Sequence, residues 1–191
     1  MKKQELRILF KEKRKALSIH QIEKFNDLIL INFQKIKLPF INCVHTYIAS
    51  LKLGEPDTAT IIRYLQFKNP LIKILIPKID IHSGKMVHYH FDEGVEMITN
   101  SYGIDEPKEG NQILEMEIDM VLIPLLAFDK KGFRVGFGKG YYDKFLCRCK
   151  PNVVKVGLSF FEPVDEITDL SGHDIPLNFC VTPASLYSFS L

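Results

Sequence analysis

The chain has 191 residues, 46% of them hydrophobic and 25% charged, with a formal net charge of +2. That length suits a single domain spanning residues 1–191 with a substantial core, and the near-balanced charge gives no electrostatic case for a nucleic acid or a membrane surface as partner. No apolar run approaches the roughly 18 residues that a bilayer span requires, and the opening MKKQELRILFKEKRKALS lacks the uninterrupted apolar core of a secretory leader.

In chain order, residues 2–16 carry Leu6, Leu9 and Phe10 at helical spacing among lysines and arginines. Ser18 is placed to cap a second helix over 19–36, whose apolar face includes Ile22, Phe25, Leu28, Ile29 and Phe33. Residues 43–49 read as a strand, 50–56 as a loop, and Asp57 or Thr58 as the cap of a helix reaching 67. Residues 72–76 form a β-branched apolar run, a good buried strand, and 87–91 alternate as a half-exposed one. The polar stretch 99–110 reads as a loop, 121–125 and 153–158 as buried strands, with a helix over 140–149 between them. Strands alternating with helices predict an α/β fold around a mostly parallel sheet. In such sheets ligands bind beyond the carboxyl ends of strands, where the loops after 49, 125 and 158 would line one crevice.

Four cysteines, Cys43, Cys147, Cys149 and Cys180, include no Cys-x-x-Cys pair. Cys43 and Cys180 read as small core residues and the other two as free thiols, so a reducing compartment, the cytosol, is expected. His88, His90 and Asp92 form H-x-H-x-D, which simple strand alternation explains without a metal.

The most informative stretch is 132–143, GFRVGFGKGYYD, which packs Gly132, Gly136, Gly138 and Gly140 around Arg134 and Lys139. Glycines with free N–H groups, two cations and a following helix are the parts of a phosphate-binding loop. A wide surface turn would use glycine for the same backbone reason. The Walker pattern fails because Gly140, not Ser or Thr, follows Lys139, and the G-x-G-x-G spacing is not the dinucleotide fingerprint. Tyr141, Tyr142 and Asp143 add stacking surface, hydroxyls and a hard oxygen ligand suited to Mg²⁺.

Residues 123–129 (IPLLAFD), Gly132, RVGFGKGYYD and Phe145-Leu146 together resemble the signature of the 5-formyltetrahydrofolate cyclo-ligases, also called methenyltetrahydrofolate synthetases. Lys3 to Arg7, Glu55 to Thr58, His173-Asp174 and Thr182-Pro183 fit the same family, so the resemblance spans essentially the whole chain. It implies a three-layer α/β sandwich of the sugar-phosphate isomerase and coenzyme A transferase type. It also implies ATP- and Mg²⁺-dependent conversion of 5-formyltetrahydrofolate to 5,10-methenyltetrahydrofolate, through phosphorylation of the formyl oxygen and ring closure by N10, releasing ADP and phosphate.

On that resemblance Lys139, Arg134 and Tyr141 are the expected catalytic residues. Lys3, Arg7, Arg134, Gly136, Gly138, Lys139, Gly140, Tyr141 and Tyr142 would hold ATP, and Asp143 and Asp174 would hold Mg²⁺. Ser50, Glu55, Phe137, Gly138, Lys139, Gly140 and Tyr141 would meet the folate, Glu55 by accepting the N–H donors of the pterin edge and Tyr141 and Phe137 by offering flat surface. Spacing alone reads less sharply. The first helix, with Lys2, Lys11, Lys13, Arg14 and Lys15 beside Lys3 and Arg7, is a solvated basic face; Asp143 and Asp174 are also ordinary cap or turn residues, and Glu55 is equally an acidic residue before a helix. A nucleotide or folate binder without turnover, an RNA-associated protein using the basic helix, and another phosphoryl-transfer enzyme of the same fold are the rival readings. The expected partners are small molecules, with no nucleic acid and no membrane, and the expected state is a monomer.

Overall fold

The structure, a computed structural model, describes residues 1–80, 83–92, 94–99 and 105–189. Helix α1 (Lys3–Lys15) is followed by α2 (Ile19–Phe33), β1 (Cys43–His45), α3 (Ala59–Lys68), β2 (Lys73–Ile79) and β3 (Met86–His90). The chain continues through β4 (Met97–Thr99), β5 (Asp105–Pro107), β6 (Met120–Pro124), β7 (Ala127–Phe128), β8 (Arg134–Val135) and α4 (Tyr141–Leu146), then β9 (Val154–Leu158), β10 (Phe179–Val181) and β11 (Leu186–Ser188).

Local chemistry sets several boundaries. Ser18 and Gln21 form a reciprocal capping box that starts α2. That helix closes at Phe33 rather than 36, because the Lys35 and Ile36 amides turn back to Asn32 and Phe33 in a tightened last turn. Asp57 caps α3 by accepting the Ala59 N–H at 2.9 Å, while the Thr58 hydroxyl donates to the Tyr47 carbonyl at 2.8 Å. The expected strand 43–49 is regular only to His45, and the expected helix 140–149 only over Tyr141–Leu146. Within the stretch expected to be a loop, Thr99 ends β4 and β5 pairs back on it, Met97 opposite Pro107; residues 100–104 lie outside the described residues.

Seven strands form one sheet in the order β11-β10-β9-β6-β1-β2-β3. The inner five run parallel, and β3 and β11 add antiparallel edges. Side-chain alternation splits the sheet cleanly. Val44, Ile74, Met120, Leu122, Val156 and Leu158 pack beneath α2 and α3 through Ile29, Phe33, Ile61 and Leu65. Cys43, Leu75, Val121, Ile123 and Cys180 face the other way, onto Phe145 and Leu146 of α4. The three-layer α/β architecture follows from these two faces.

From β1 the chain builds outward to β2, then crosses back and builds outward from β6 through β9 and β10. The reversal between β1 and β6 is a topological switch point, the place where loops diverge and leave a crevice at the carboxyl ends. Helix α1 lies over one side of it, burying Leu6 and Phe10 against Leu126, Ala127, Val135 and Ile167, each side chain worth about 2 kcal/mol. Among the described residues no helix is long and apolar enough to cross a membrane.

Candidate functional site

Three pieces of chain meet at the switch point: α1, the segment after β1, and the long segment from β6 to α4. The β6 to α4 segment first makes a small hairpin, β7 paired with β8, that sequence periodicity does not reveal. Its turn is built by Asp129, fully buried, whose carboxylate accepts the N–H groups of Lys131, Phe133 and Ile167. The hairpin delivers Arg134 and then the glycines to the mouth of the crevice.

These glycines have different tasks. A Cβ on Gly132 would stand 2.7 Å from Cγ of Phe189 and 3.2 Å from the Leu177 carbonyl oxygen, so Gly132 serves packing. A Cβ on Gly136 or Gly140 would meet nothing within 4 Å among the described residues. At Gly138 the neighbour is the Arg7 guanidinium, whose Nε donates to the Gly136 carbonyl at 3.0 Å. Lys139 is exposed and makes no ion pair among the described residues. The open backbone, Arg7 and Lys139 therefore present donors and positive charge at one place, which suits phosphate oxygens.

Lys3, one turn before Arg7, donates to both carboxylate oxygens of Asp174 at 2.7 and 2.6 Å. Burial pushes the Asp174 carboxyl up, but Lys3 and the Ser171 amide outweigh it and hold the group below the usual range. The N-terminus of α1 is tied down here as well: the Lys3 amide donates to Asp169 at 2.7 Å and the Met1 amine to the Glu166 carbonyl at 3.1 Å.

Arg134, its side chain only 5% exposed, donates through one nitrogen to Asp143 Oδ1 at 2.9 Å and through the other to the Ile175 carbonyl. The Ile175 amide also donates to Asp143 Oδ1, at 3.2 Å. Asp143 on α4 and Asp174, the residue before Ile175, are thereby joined through one peptide unit. Among the described residues no group of three or more His, Cys, Asp or Glu side chains comes together as a metal cage. Asp143 and Asp174 are oxygen donors of the kind Mg²⁺ takes, since that ion uses few protein ligands and completes its shell with phosphate and water; here Lys3 engages both Asp174 oxygens.

On the β1 side, Ser50 and Glu55 close a tight loop: the Ser50 amide donates to the Glu55 carboxylate at 3.0 Å, and its carbonyl accepts the Leu53 and Glu55 amides. Burial raises the Glu55 carboxyl above its usual range, against the Ser50 N–H and the Arg14 charge, which pull it down. Tyr142 is half-buried; its hydroxyl has no hydrogen-bond partner among the described residues, and burial followed by the nearby Glu55 charge pushes it well up. Tyr141 packs along the edge of the α4 cluster. Phe137 is half-buried in the cluster under α1, with the Lys11 ammonium 5.8 Å from its ring centre.

Two features contradict the sequence reading. Arg14, expected on a solvated face, is 4% exposed and donates to the carbonyls of Leu53 and Leu125. It shares one helix stripe with Lys3 and Arg7, a spacing signal present in the sequence but submerged among the other cations. His88, expected on a half-exposed strand, is 2% exposed and packs edge-on to His45 with ring centres 4.9 Å apart. His90 pairs instead with Asp92 at 3.3 Å.

Known proteins resemble this chain over most of its length. The family model described as the 5-formyltetrahydrofolate cyclo-ligase family matches residues 1–183. The mitochondrial 5-formyltetrahydrofolate cyclo-ligase of Arabidopsis thaliana is 30% identical over 162 residues, 73% of this chain and 58% of the plant protein. The Escherichia coli K12 5-formyltetrahydrofolate cyclo-ligase is 26% identical over 187 residues, 95% of this chain and 100% of the bacterial one. The NMR structure of Aquifex aeolicus 5,10-methenyltetrahydrofolate synthetase superposes with a TM-score of 0.82 at 26% identity, over 100% of this chain and 94% of that one.

Proposed function

The chain belongs to the 5-formyltetrahydrofolate cyclo-ligase family and is a ligase of folate one-carbon chemistry, and from that premise we propose how its site closes 5-formyltetrahydrofolate to 5,10-methenyltetrahydrofolate. The observation that carries the proposal is the convergence of Arg7 on Gly136 and Gly138, beside the linked carboxylates Asp143 and Asp174.

A formamide oxygen is a poor leaving group, so attack by N10 on the formyl carbon stalls unless that oxygen is activated. Transfer of the γ-phosphoryl group of ATP to it forms one O–P bond, breaks the β,γ-bridge and releases ADP. The N10 lone pair then attacks the formyl carbon, the C–O bond breaks, and phosphate leaves with the oxygen as N10 loses its proton. Both steps need positioning and charge neutralisation more than a protein nucleophile.

In this reading Lys139 and Arg7 meet the phosphates, Lys3 stands beside them on its pair with Asp174, and the open backbone at Gly136, Gly138 and Gly140 completes the donor set. Asp143 and Asp174 hold Mg²⁺, which neutralises phosphate charge when bound. Arg134 holds Asp143 in place and supports the charge balance behind it. Glu55 accepts the pterin N–H edge, Ser50 shapes its loop, and Tyr141, Tyr142 and Phe137 supply flat surface. The four free cysteines support a reducing compartment such as the cytosol, and a monomer is the working state, checked by size-exclusion chromatography.

The test mixes purified protein with 5-formyltetrahydrofolate and MgATP and follows methenyl-folate by its near-ultraviolet absorbance. ATP-dependent product is expected, falling about a hundredfold or more in Lys139→Ala and Asp143→Ala. Full product formation in both variants would overturn the residue roles, and none from the wild-type protein would overturn the reaction.

A further inference from the structure

Arg14 is the most deeply buried cation of α1, and nothing in the reaction just described uses it. A guanidinium is costly to desolvate, so its place in the interior calls for partners. Its two terminal nitrogens donate to the carbonyls of Leu53, in the loop after β1, and Leu125, directly after β6. Those strands flank the switch point, so one side chain ties both walls of the crevice to the helix that carries Lys3 and Arg7. The loop passes close over it: a Cβ on Gly54 would lie 3.5 Å from Arg14 Cβ. Its Nε is buried with no partner among the described residues, so the guanidinium is held by two main-chain oxygens and by the field of nearby groups.

We propose that Arg14 is a positioning residue for folate recognition, fixing the 50–55 loop through the Leu53 carbonyl so that the loop holds Glu55 where it accepts the pterin edge. This inference rests on the reading of Glu55 given above. Glu55 makes no direct ion pair with Arg14 among the described residues, yet each group feels the other's charge. The other titratable groups around them are Tyr47, which donates to the Pro56 carbonyl at 3.0 Å, Asp57 and Tyr142, with Arg134 behind Tyr142. The Ser50 N–H and then the Arg14 charge oppose the effect of burial on Glu55. Removing its charge raises the pH needed to ionise Glu55; replacing it with lysine keeps the charge but loses the two-carbonyl bridge, because an ammonium lacks the planar fork.

The experiment compares wild type, Arg14→Met, Arg14→Lys and Glu55→Gln by KM for each substrate, by kcat, and by the pH profile of folate binding, with thermal unfolding alongside. Arg14→Met is expected to raise the folate KM about tenfold with the ATP KM little changed, and to move the acid limb of folate binding to higher pH. Arg14→Lys is expected to raise the folate KM severalfold and leave that acid limb in place. If Arg14→Met does not fold, Arg14→Lys still decides: a folate KM equal to wild type overturns the proposal. Equal rises in both KM values alongside lost thermal stability, or an acid limb that does not move in Arg14→Met, overturn it too. If Glu55→Gln leaves the folate KM unchanged, the reading of Glu55 fails and this inference with it. If Glu55→Gln raises the folate KM while both Arg14 variants behave as wild type, this inference alone fails.

Discussion

The Arg7 guanidinium lies against the backbone of Gly138: a methyl group there would stand 3.2 Å from Cζ and 3.2 Å from Nε of the arginine. Gly138 also sits at φ +96°, a conformation that L side chains rarely adopt. Gly138→Ala is expected to displace Arg7 and to strain the loop by about 1–2 kcal/mol. The displaced cation should show as an ATP KM raised about tenfold with a folate KM nearly unchanged, read by steady-state kinetics at fixed co-substrate. A variant that loses thermal stability but keeps the wild-type ATP KM would mean that Arg7 does not meet the nucleotide.

Gly132 provides the opposite case within the same cluster. Its φ is +87°, and an added Cβ would press into the Phe189 ring at 2.7 Å and toward the Leu177 carbonyl. Gly132→Ala should cost about 3 kcal/mol through overpacking and backbone strain together. Denaturant unfolding would measure that loss. At a temperature where the variant is folded, both KM values should match the wild type, and a raised ATP KM would place Gly132 in the proposed phosphate loop after all.

Arg134 and Asp143 separate stability from chemistry. Arg134 is buried between Asp143 and the Ile175 carbonyl, so Arg134→Met leaves a half-buried carboxylate without its cation and should destabilise by about 3 kcal/mol. Asp143→Asn keeps an oxygen to accept from Arg134 and Ile175, and should fold nearly as well while activity falls about a hundredfold. Parallel unfolding and rate measurements on the two variants check this. Equal destabilisation with activity retained in Asp143→Asn would reduce Asp143 to a structural role.

Much of this arrangement was legible in the chain. The apolar runs that became β2, β6 and β9 announce themselves because strands covered on both faces read as continuous hydrophobic segments, and Ser18 announces α2 through its capping box. The glycine and cation pattern marks the segment where the fold brings Arg7 against the backbone of Gly136 and Gly138. The β7–β8 hairpin was hidden because two-residue strands carry no period. Arg14 was hidden because its burial depends on carbonyls at Leu53 and Leu125, distant in sequence. For the same reason the pairing of Lys3 with Asp174, 171 positions apart, is a tertiary fact that no local pattern encodes.

His45 and His88 carry a prediction of a different kind. Both rings are buried on the α4 side of the sheet, packed on each other and on Phe145, with ring centres 4.8 and 4.2 Å from that phenylalanine. All four of their ring nitrogens are buried without a hydrogen-bond partner among the described residues. Burial lowers His88 to about 4, with Arg148 adding to the effect and Glu115, 3.9 Å away, opposing it; burial and then His88 hold His45 well below the ordinary value. Each ring is therefore easier to protonate in the unfolded chain. The stability this protects is fully present above about pH 6.5 and is lost as pH falls toward 4, on the order of 3 kcal/mol for His88. His88→Leu removes an unpartnered polar group from the core, so it should be neutral or stabilising near pH 7. Its stability should also fall less steeply than that of the wild type on acidification. Denaturant midpoints for both proteins across that range would show the two curves diverging as pH drops; parallel curves would mean that His88 is not the group whose protonation unfolds the chain.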